Sequence, residues 1–115
     1  MSPTIVYNKA GKPILALGSA GGKRIIMHVT KTLIGVLDFG LPLKDAIALP
    51  NIYFGKGNLL IERGTNMAAK VGEIAKLGQP VEAYDLASKV NGVQLTTQGW
   101  NGAADPRSLG TALAE

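Results

Sequence analysis

Three glycines and a serine separate an apolar run from an amphipathic segment in the stretch LGSAGGKRII, residues 17–26. Glycine adopts positive φ angles and lets a ligand approach the main chain closely. A strand, then Gly21 and Gly22, then a helix would place consecutive backbone N–H groups at the positive end of a helix dipole. The stretch therefore indicates either a site for an anion (phosphate, carboxylate or a transient oxyanion) or only a tight strand-to-helix turn with close packing.

The spacing of these glycines matches neither common nucleotide-binding motif. It is not G-x-G-x-x-G, and Gly22 is followed by Lys23 and Arg24, without the spacing and the Ser or Thr of a phosphate loop. Nucleotide binding is therefore not indicated.

The other polar residues offer no recognisable catalytic set. We expect His28 at the surface or at an interface, and Asp105-Pro106-Arg107 predicts an Asx-type turn with a structural ion pair or cap. The acidic residues are scattered singly, so no acid/base pair of carboxylates can be argued; they include Asp38, Asp45, Glu62, Glu73, Glu82 and Asp85. With no cysteine and one histidine, neither a metal site nor a cofactor is predicted.

Charge and hydropathy bear on the partners of the chain. The net charge of +4 comes from basic residues spread evenly along the 115 residues, and only 5% of the residues are aromatic. Nucleic-acid recognition needs clustered basic residues with aromatic side chains, so no nucleic-acid partner is predicted. No apolar run approaches the roughly 20 residues that span a bilayer, so no membrane partner is predicted either.

The elements that would position the glycines follow from apolar periodicity. A hairpin over 4–7 and 13–17 leads into the glycines, and apolar residues at three- and four-residue spacing predict a helix of about 16 residues that begins near Ile25 and ends before Gly40. The predicted apolar face of this helix consists of Ile25, Ile26, Val29, Leu33, Val36 and Leu37.

The rest of the chain predicts short strands and two further helices. The strands are expected at 52–55, 59–62, 81–84, 93–97 and 100–104, and the helices at 43–49 and 66–77. In the last helix we expect Met67, Val71 and Ile74 to lie in the core. The whole chain, 1–115, is interpreted as a single α+β layered domain.

Four segments in order resemble the γ-glutamyltransferases (γ-glutamyl transpeptidases). They are MSPTIV (1–6), LGSAGGKRII (17–26), GVLDFGLPLKDAIALPNIYF (35–54) and GAADPRSLG (102–110). The matching region of that family is the C-terminal part of the small subunit, and the resemblance runs over essentially the whole chain. It implies a fragment of the αββα sandwich of N-terminal-nucleophile hydrolases, with β-hairpins packed against a long helix.

The resemblance implies that Gly21 and Gly22 donate their backbone N–H groups to an oxyanion hole. In the family a threonine exposed by self-cleavage attacks the γ-glutamyl amide of glutathione or a related compound and forms an acyl-enzyme. The acyl group is then transferred to water, an amino acid or a peptide. That threonine and the residues that hold the substrate's α-carboxylate and amine precede the segment matched by Met1. We therefore expect an inactive C-terminal fragment whose partners are the large subunit and the remainder of the small subunit.

Further expectations concern Met1, association and location. The first strand begins close to Met1, as it would in a cut fragment. A missing half of the sandwich should leave an apolar face exposed, which predicts self-association or marginal stability. The resemblance suggests a periplasmic or extracellular compartment and leaves a cytoplasmic one open.

One departure from the family pattern keeps two other functions open. The family continues its second helix into a proline-arginine-aromatic-histidine run, whereas residues 50–54 read PNIYF. An acylase that acts on another amide is one alternative. A non-catalytic binding or scaffold domain is the other.

Overall fold

The structure is a computed structural model that describes residues 2–113, so the expectation placed on Met1 lies outside the described residues. The described residues form two compact units: one contains the chain up to Leu49 and from Ser88 onward, and the other contains Pro50–Ala87. The interpretation of 1–115 as one domain stays a prediction.

Residues 2–113 form seven strands and three helices, and 3-10 turns at Gly22–Arg24 and Ala68–Lys70 lead into two of the helices. In chain order the strands are β1 Thr4–Tyr7, β2 Pro13–Gly18, β3 Ile52–Gly55, β4 Asn58–Glu62, β5 Val81–Tyr84, β6 Asn91–Thr96 and β7 Gly99–Ala104, and the helices are α1 Ile25–Leu37, α2 Leu43–Ala48 and α3 Val71–Ala75. Every predicted strand is confirmed to within two residues. Among the described residues, no helix has the length and apolar character needed to cross a membrane.

The first unit is a four-stranded antiparallel sheet, in the order β1-β2-β6-β7, with α1 and α2 on one face. Alternate residues of a strand point to opposite faces, so Leu15 and Leu17 of β2 are buried on the helix side while Ala16 points away. The core of this unit is formed by Leu15, Leu17, Val29, Leu43, Ile47, Val90 and Ala103.

Helix α1 is shorter than predicted, and its most buried side is displaced from the predicted face, of which Val29 is buried in the core and Ile25, Leu33 and Val36 are packed against it. It has 13 residues, and its predicted apolar face is partly solvent-exposed, with Ile26 at 66% and Leu37 at 50%. The buried positions are His28, Val29, Thr32 and Gly35. Because Gly35 has no side chain, α2 approaches closely: a Cβ added at Gly35 would lie 2.8 Å from Cβ of Ala46.

The prediction of a surface or interface position for His28 is therefore wrong. His28 lies one and two turns before Thr32 and Gly35, on the side of α1 that is buried within the first unit, and its exposed fraction is 1%. Which side of a helix is buried depends on where its neighbours dock, and here small residues rather than the largest apolar ones allow the closest approach.

The second unit pairs β3 with β4 in antiparallel and β4 with β5 in parallel orientation. Helix α3 begins later and ends earlier than the predicted 66–77. The expectation that Met67, Val71 and Ile74 are core residues is wrong, since all three are only half-buried. A helix of five residues beside a three-stranded sheet is too short to bury a full apolar face.

Candidate active site

The predicted glycine turn, residues 19–22, connects β2 directly to the 3-10 turn that precedes α1. Gly21 has φ 136° and ψ 21°, and Gly22 has φ 64°. The φ angles of Gly21 and Gly22 both lie in the positive region that residues with a side chain disfavour, so glycine is required at each position. The predicted order of strand, glycine turn and helix is confirmed.

The glycines of this turn are solvent-exposed. Gly21, Gly22 and Lys23 are exposed, and a Cβ added at Gly22 would meet no atom within 4 Å. Within residues 2–113, neither Gly21 nor Gly22 donates its N–H to a backbone or side-chain acceptor. Two adjacent unpaired donors before a 13-residue helix form an anion-binding geometry.

The base of the turn is anchored on the sheet side. Ser19 is 9% exposed, and its hydroxyl donates to the carbonyl of Ala20 at 3.1 Å. The N–H of Ala20 donates to the carbonyl of Lys89, just before β6, at 3.3 Å. Ser19 and Ala20 are therefore fixed against the sheet, whereas the two glycines that follow them are exposed to solvent.

Two cations, one from the middle of α1 and one from the segment after β7, bind the carboxyl end of α2. Nζ of Lys31 donates to the carbonyl oxygens of Ile47 at 2.7 Å and Leu49 at 2.8 Å. Arg107 donates to the same two oxygens, from Nη1 at 3.1 Å and from Nη2 at 2.9 Å. Cations are stabilising at a helix carboxyl end, where carbonyls lack intrahelical partners. This carbonyl cluster fixes α1 against α2.

Asp105 orients Arg107 from a fully buried position. Its Oδ1 accepts hydrogen bonds from N and Nη1 of Arg107 at 3.0 and 3.1 Å, and its Oδ2 accepts from Oγ of Ser88 and from N of Val90 at 3.0 Å. Burial alone would raise the pKa of this carboxyl, but the hydrogen bonds from Ser88, Val90 and Arg107 outweigh it and hold the pKa below its ordinary 3.8. The predicted Asx turn with a structural ion pair is confirmed.

Sequence reasoning missed three parts of this arrangement. It did not identify Lys31 or Ser88, and it placed His28 outside the core. Lys31 and Arg107 bind backbone carbonyls, which every residue carries, so no residue pattern marks their acceptors. Lys31 lies four residues before Gly35, on the side of α1 that approaches α2. This spacing indicates its role only once the close packing at Gly35 is known. Among the described residues, no group of three or more His, Cys, Asp or Glu could hold a metal ion.

The whole chain, residues 1–115, matches the family model described as gamma-glutamyltranspeptidase. The chain belongs to the gamma-glutamyltranspeptidase family. The glutathione hydrolase proenzyme of Pseudomonas aeruginosa is 33% identical over 98% of this chain, and that of Escherichia coli is 34% identical over 95%. This member of the family spans only 21% and 19% of the length of those two relatives.

Solved structures of the family share the fold. A gamma-glutamyltranspeptidase from Pseudomonas nitroreducens superposes with a TM-score of 0.87 and 28% identity, covering 100% of this chain and 62% of that one. A gamma-glutamyltranspeptidase mutant from Helicobacter pylori gives a TM-score of 0.83 and 31% identity, covering 94% and 61%. The predicted α+β fold of the N-terminal-nucleophile hydrolases is thereby confirmed.

Proposed function

We propose that this chain supplies the oxyanion hole of a γ-glutamyltransferase-like enzyme that cleaves γ-glutamyl amides such as that of glutathione. The observation that carries the proposal is the pair of unpaired N–H groups of Gly21 and Gly22, two exposed residues at positive φ between β2 and α1. Family membership provides the reaction class, and the glycine turn provides a group that suits it.

The oxyanion role follows from the chemistry of amide cleavage. A nucleophile outside this chain, a threonine hydroxyl by resemblance to the family, attacks the amide carbonyl, whose oxygen then becomes negatively charged. Donors at about 2.7–3.1 Å from that oxygen stabilise the negative charge, and removal of one such donor typically lowers kcat by about 10²–10³-fold. The C–N bond then breaks, the amine leaves with a proton, and water or an amine resolves the ester.

The open face of the four-stranded sheet supports a place in a larger enzyme. This open face consists of Ile5, Val93, Leu95 and Trp100, which point away from the helices by strand register and are 55%, 41%, 39% and 52% exposed. A contiguous apolar surface of this kind marks a packing interface. The proposal assigns it to the remainder of the small subunit and the large subunit.

A second candidate function is an acylase that acts on a different amide. It is favoured by residues 50–54, which contain neither the arginine nor the histidines of the family run. Asn51 is instead buried in the second unit, where its side-chain Nδ2 donates to the carbonyl of Leu86 at 3.0 Å. The oxyanion role of the glycine turn is the same in both reactions.

Two glycine substitutions with the same backbone strain test the proposal. Gly22→Ala and Gly11→Ala both place a side chain at a positive φ, 64° and 74°, and a Cβ meets no atom within 4 Å at either site. Alanine keeps the N–H, but its side chain at Gly22 would strain the turn and crowd the space next to the donors. The proposal therefore expects kcat for a γ-glutamyl anilide, measured in the full-length protein that carries this chain, to fall at least about 10-fold in Gly22→Ala only. Equal losses in both variants would overturn it.

Activity toward other amides separates the two candidate reactions. A γ-glutamyltransferase turns over the γ-glutamyl anilide in preference to anilides of other acyl groups, and the acylase shows the reverse order. The 115-residue chain by itself is expected to show no turnover of either substrate, because the nucleophile lies outside it. Turnover by the chain alone would contradict the proposed division of the active site.

A further inference from the structure

His28 is the one histidine of the chain, and its imidazole is buried without a hydrogen bond. The residue is 1% exposed, and neither Nδ1 nor Nε2 has a partner among the described residues. Buried polar side-chain atoms are paired in the large majority of cases. An unpaired neutral ring is tolerated at modest cost, whereas an unpaired charged ring is far more expensive.

Four charged groups act on this ring. Arg24 and Lys31 lie on the same continuous helical segment, and Asp105 and Arg107 belong to the segment after β7. Three of the four are cations. A proton added to His28 therefore meets more repulsion than attraction.

The acceptors in this cluster are already occupied. Each carboxylate oxygen of Asp105 accepts two hydrogen bonds, which uses the four lone-pair positions of the group. The carbonyl oxygens of Ile47 and Leu49 each accept one bond from Lys31 and one from Arg107. These groups therefore hold no free acceptor position for a protonated imidazole.

We propose that His28 is a pH-sensitive switch, in which protonation of the buried ring disrupts the packing of the amino-terminal half of α1 and thereby shifts the adjoining glycine turn. The added proton comes from solvent and binds to either ring nitrogen. The charged ring either leaves its buried site or displaces Lys31 or Arg107 from the carbonyls. Both outcomes loosen α1 about two turns from Gly22.

The direction of the effect follows from the pKa. Burial lowers the pKa of His28 below its ordinary 6.5, the charges of Lys31, Arg107 and Arg24 lower it further, and Asp105 opposes them. As pH falls below 6.5 the unfolded chain takes up a proton that the folded chain does not, so stability decreases until pH reaches the folded-state pKa. Above 6.5 the ring is neutral in both states and contributes no pH dependence.

The single histidine makes the test direct. In the 115-residue chain, NMR signals of the imidazole and of the Gly21 and Gly22 amides are followed between pH 5 and 8. We expect an imidazole midpoint below 6.5 and glycine signals that shift with that same midpoint. A midpoint at 6.5 or above, or glycine signals that do not follow the ring, would overturn the proposal.

Two variants separate protonation from a purely structural role. His28→Leu removes the one imidazole, so the change in the glycine signals that follows the imidazole midpoint should be absent, because the chain has no other histidine and no cysteine and the α-amino group titrates at higher pH. Lys31→Met removes one cation and frees two acceptors, so the imidazole midpoint should rise. Unchanged glycine titration in His28→Leu, or a lowered midpoint in Lys31→Met, would contradict the switch. None of these readouts depends on the oxyanion role.

Discussion

Lys31 and Arg107 donate hydrogen bonds to the same two carbonyl oxygens, those of Ile47 and Leu49 at the carboxyl end of α2. One cation comes from the middle of α1 and the other from the segment after β7. The two residues are 76 positions apart in the chain (107 − 31). Their shared acceptors join three segments of the first unit at one point, and α1 in turn carries the glycine turn.

Loss of Arg107 should destabilise the first unit strongly. Asp105 is fully buried and Arg107 is its charge partner at 3.1 Å, so Arg107→Met leaves a buried carboxylate without a counter-charge. Removal of one partner of a buried pair costs about 3–5 kcal/mol. Urea unfolding of the wild type and the variant, with the change in midpoint converted to a free energy of unfolding, measures the loss.

The matched control for this prediction is the exposed ion pair of Arg63 and Asp85. Its atoms are 3.7 Å apart, and the two side chains are 63% and 82% exposed. Because solvent screens such pairs, Arg63→Met should cost less than about 1 kcal/mol. Similar losses in Arg63→Met and Arg107→Met would show that burial of Asp105 is not what makes Arg107 necessary.

Close approach of α1 and α2 predicts that Gly35 cannot be enlarged. In Gly35→Ala the new Cβ would lie 2.8 Å from Cβ of Ala46 and 3.2 Å from Cδ1 of Leu49. Overpacking of this kind costs about 1–3 kcal/mol, which exceeds the gain of up to about 1 kcal/mol in helix propensity. Thermal melting of the variant should therefore show a lower midpoint than the wild type.

For Gly72→Ala, which is also a substitution within a helix, we expect no loss of stability. Gly72 lies in α3, and a Cβ there would meet no atom within 4 Å. Only the propensity gain of about 0.5–1 kcal/mol remains, so this variant should melt at the same temperature as the wild type or higher. A stabilised Gly35→Ala would mean that α1 and α2 are farther apart than described.

Local patterns were sufficient to predict the strands, α2 and the glycine turn, because alternation, proline positions and adjacent glycines act over a few residues. They were not sufficient for His28 or Lys31. The burial of His28 depends on which side of α1 packs within the unit, and the bonds of Lys31 depend on carbonyls 16 and 18 residues away. The wrong core assignment of Met67, Val71 and Ile74 has a related cause, since apolar spacing does not reveal how short α3 is.

Asp105 predicts a loss of stability in acid that is separate from that of His28. Because its folded-state pKa lies below 3.8, the stabilisation is fully present above 3.8 and is lost as pH falls from there through the folded-state value. The free energy of unfolding of Asp105→Asn should therefore be less dependent on pH than that of the wild type in this range. Parallel profiles for the two proteins would contradict an ionised, hydrogen-bonded Asp105.

The open face of the sheet predicts self-association of the chain when it is studied alone. Exposed apolar residues at its centre can be shielded by a second copy when no other partner is present. Replacement of Trp100, which is 52% exposed, by glutamate introduces a charge into such a contact and should lower the association constant. Sedimentation velocity over a range of concentrations measures the change.

Leu77→Glu is the control, because Leu77 is 85% exposed but belongs to the second unit and is not part of the four-stranded sheet. We expect Trp100→Glu to be more monomeric than the wild type and Leu77→Glu to associate as the wild type does. If both variants dissociate equally, general surface charge rather than the open face controls association. If the wild type is monomeric at all concentrations, the open face does not bind a second copy, and the apolar side chains on it are tolerated in water.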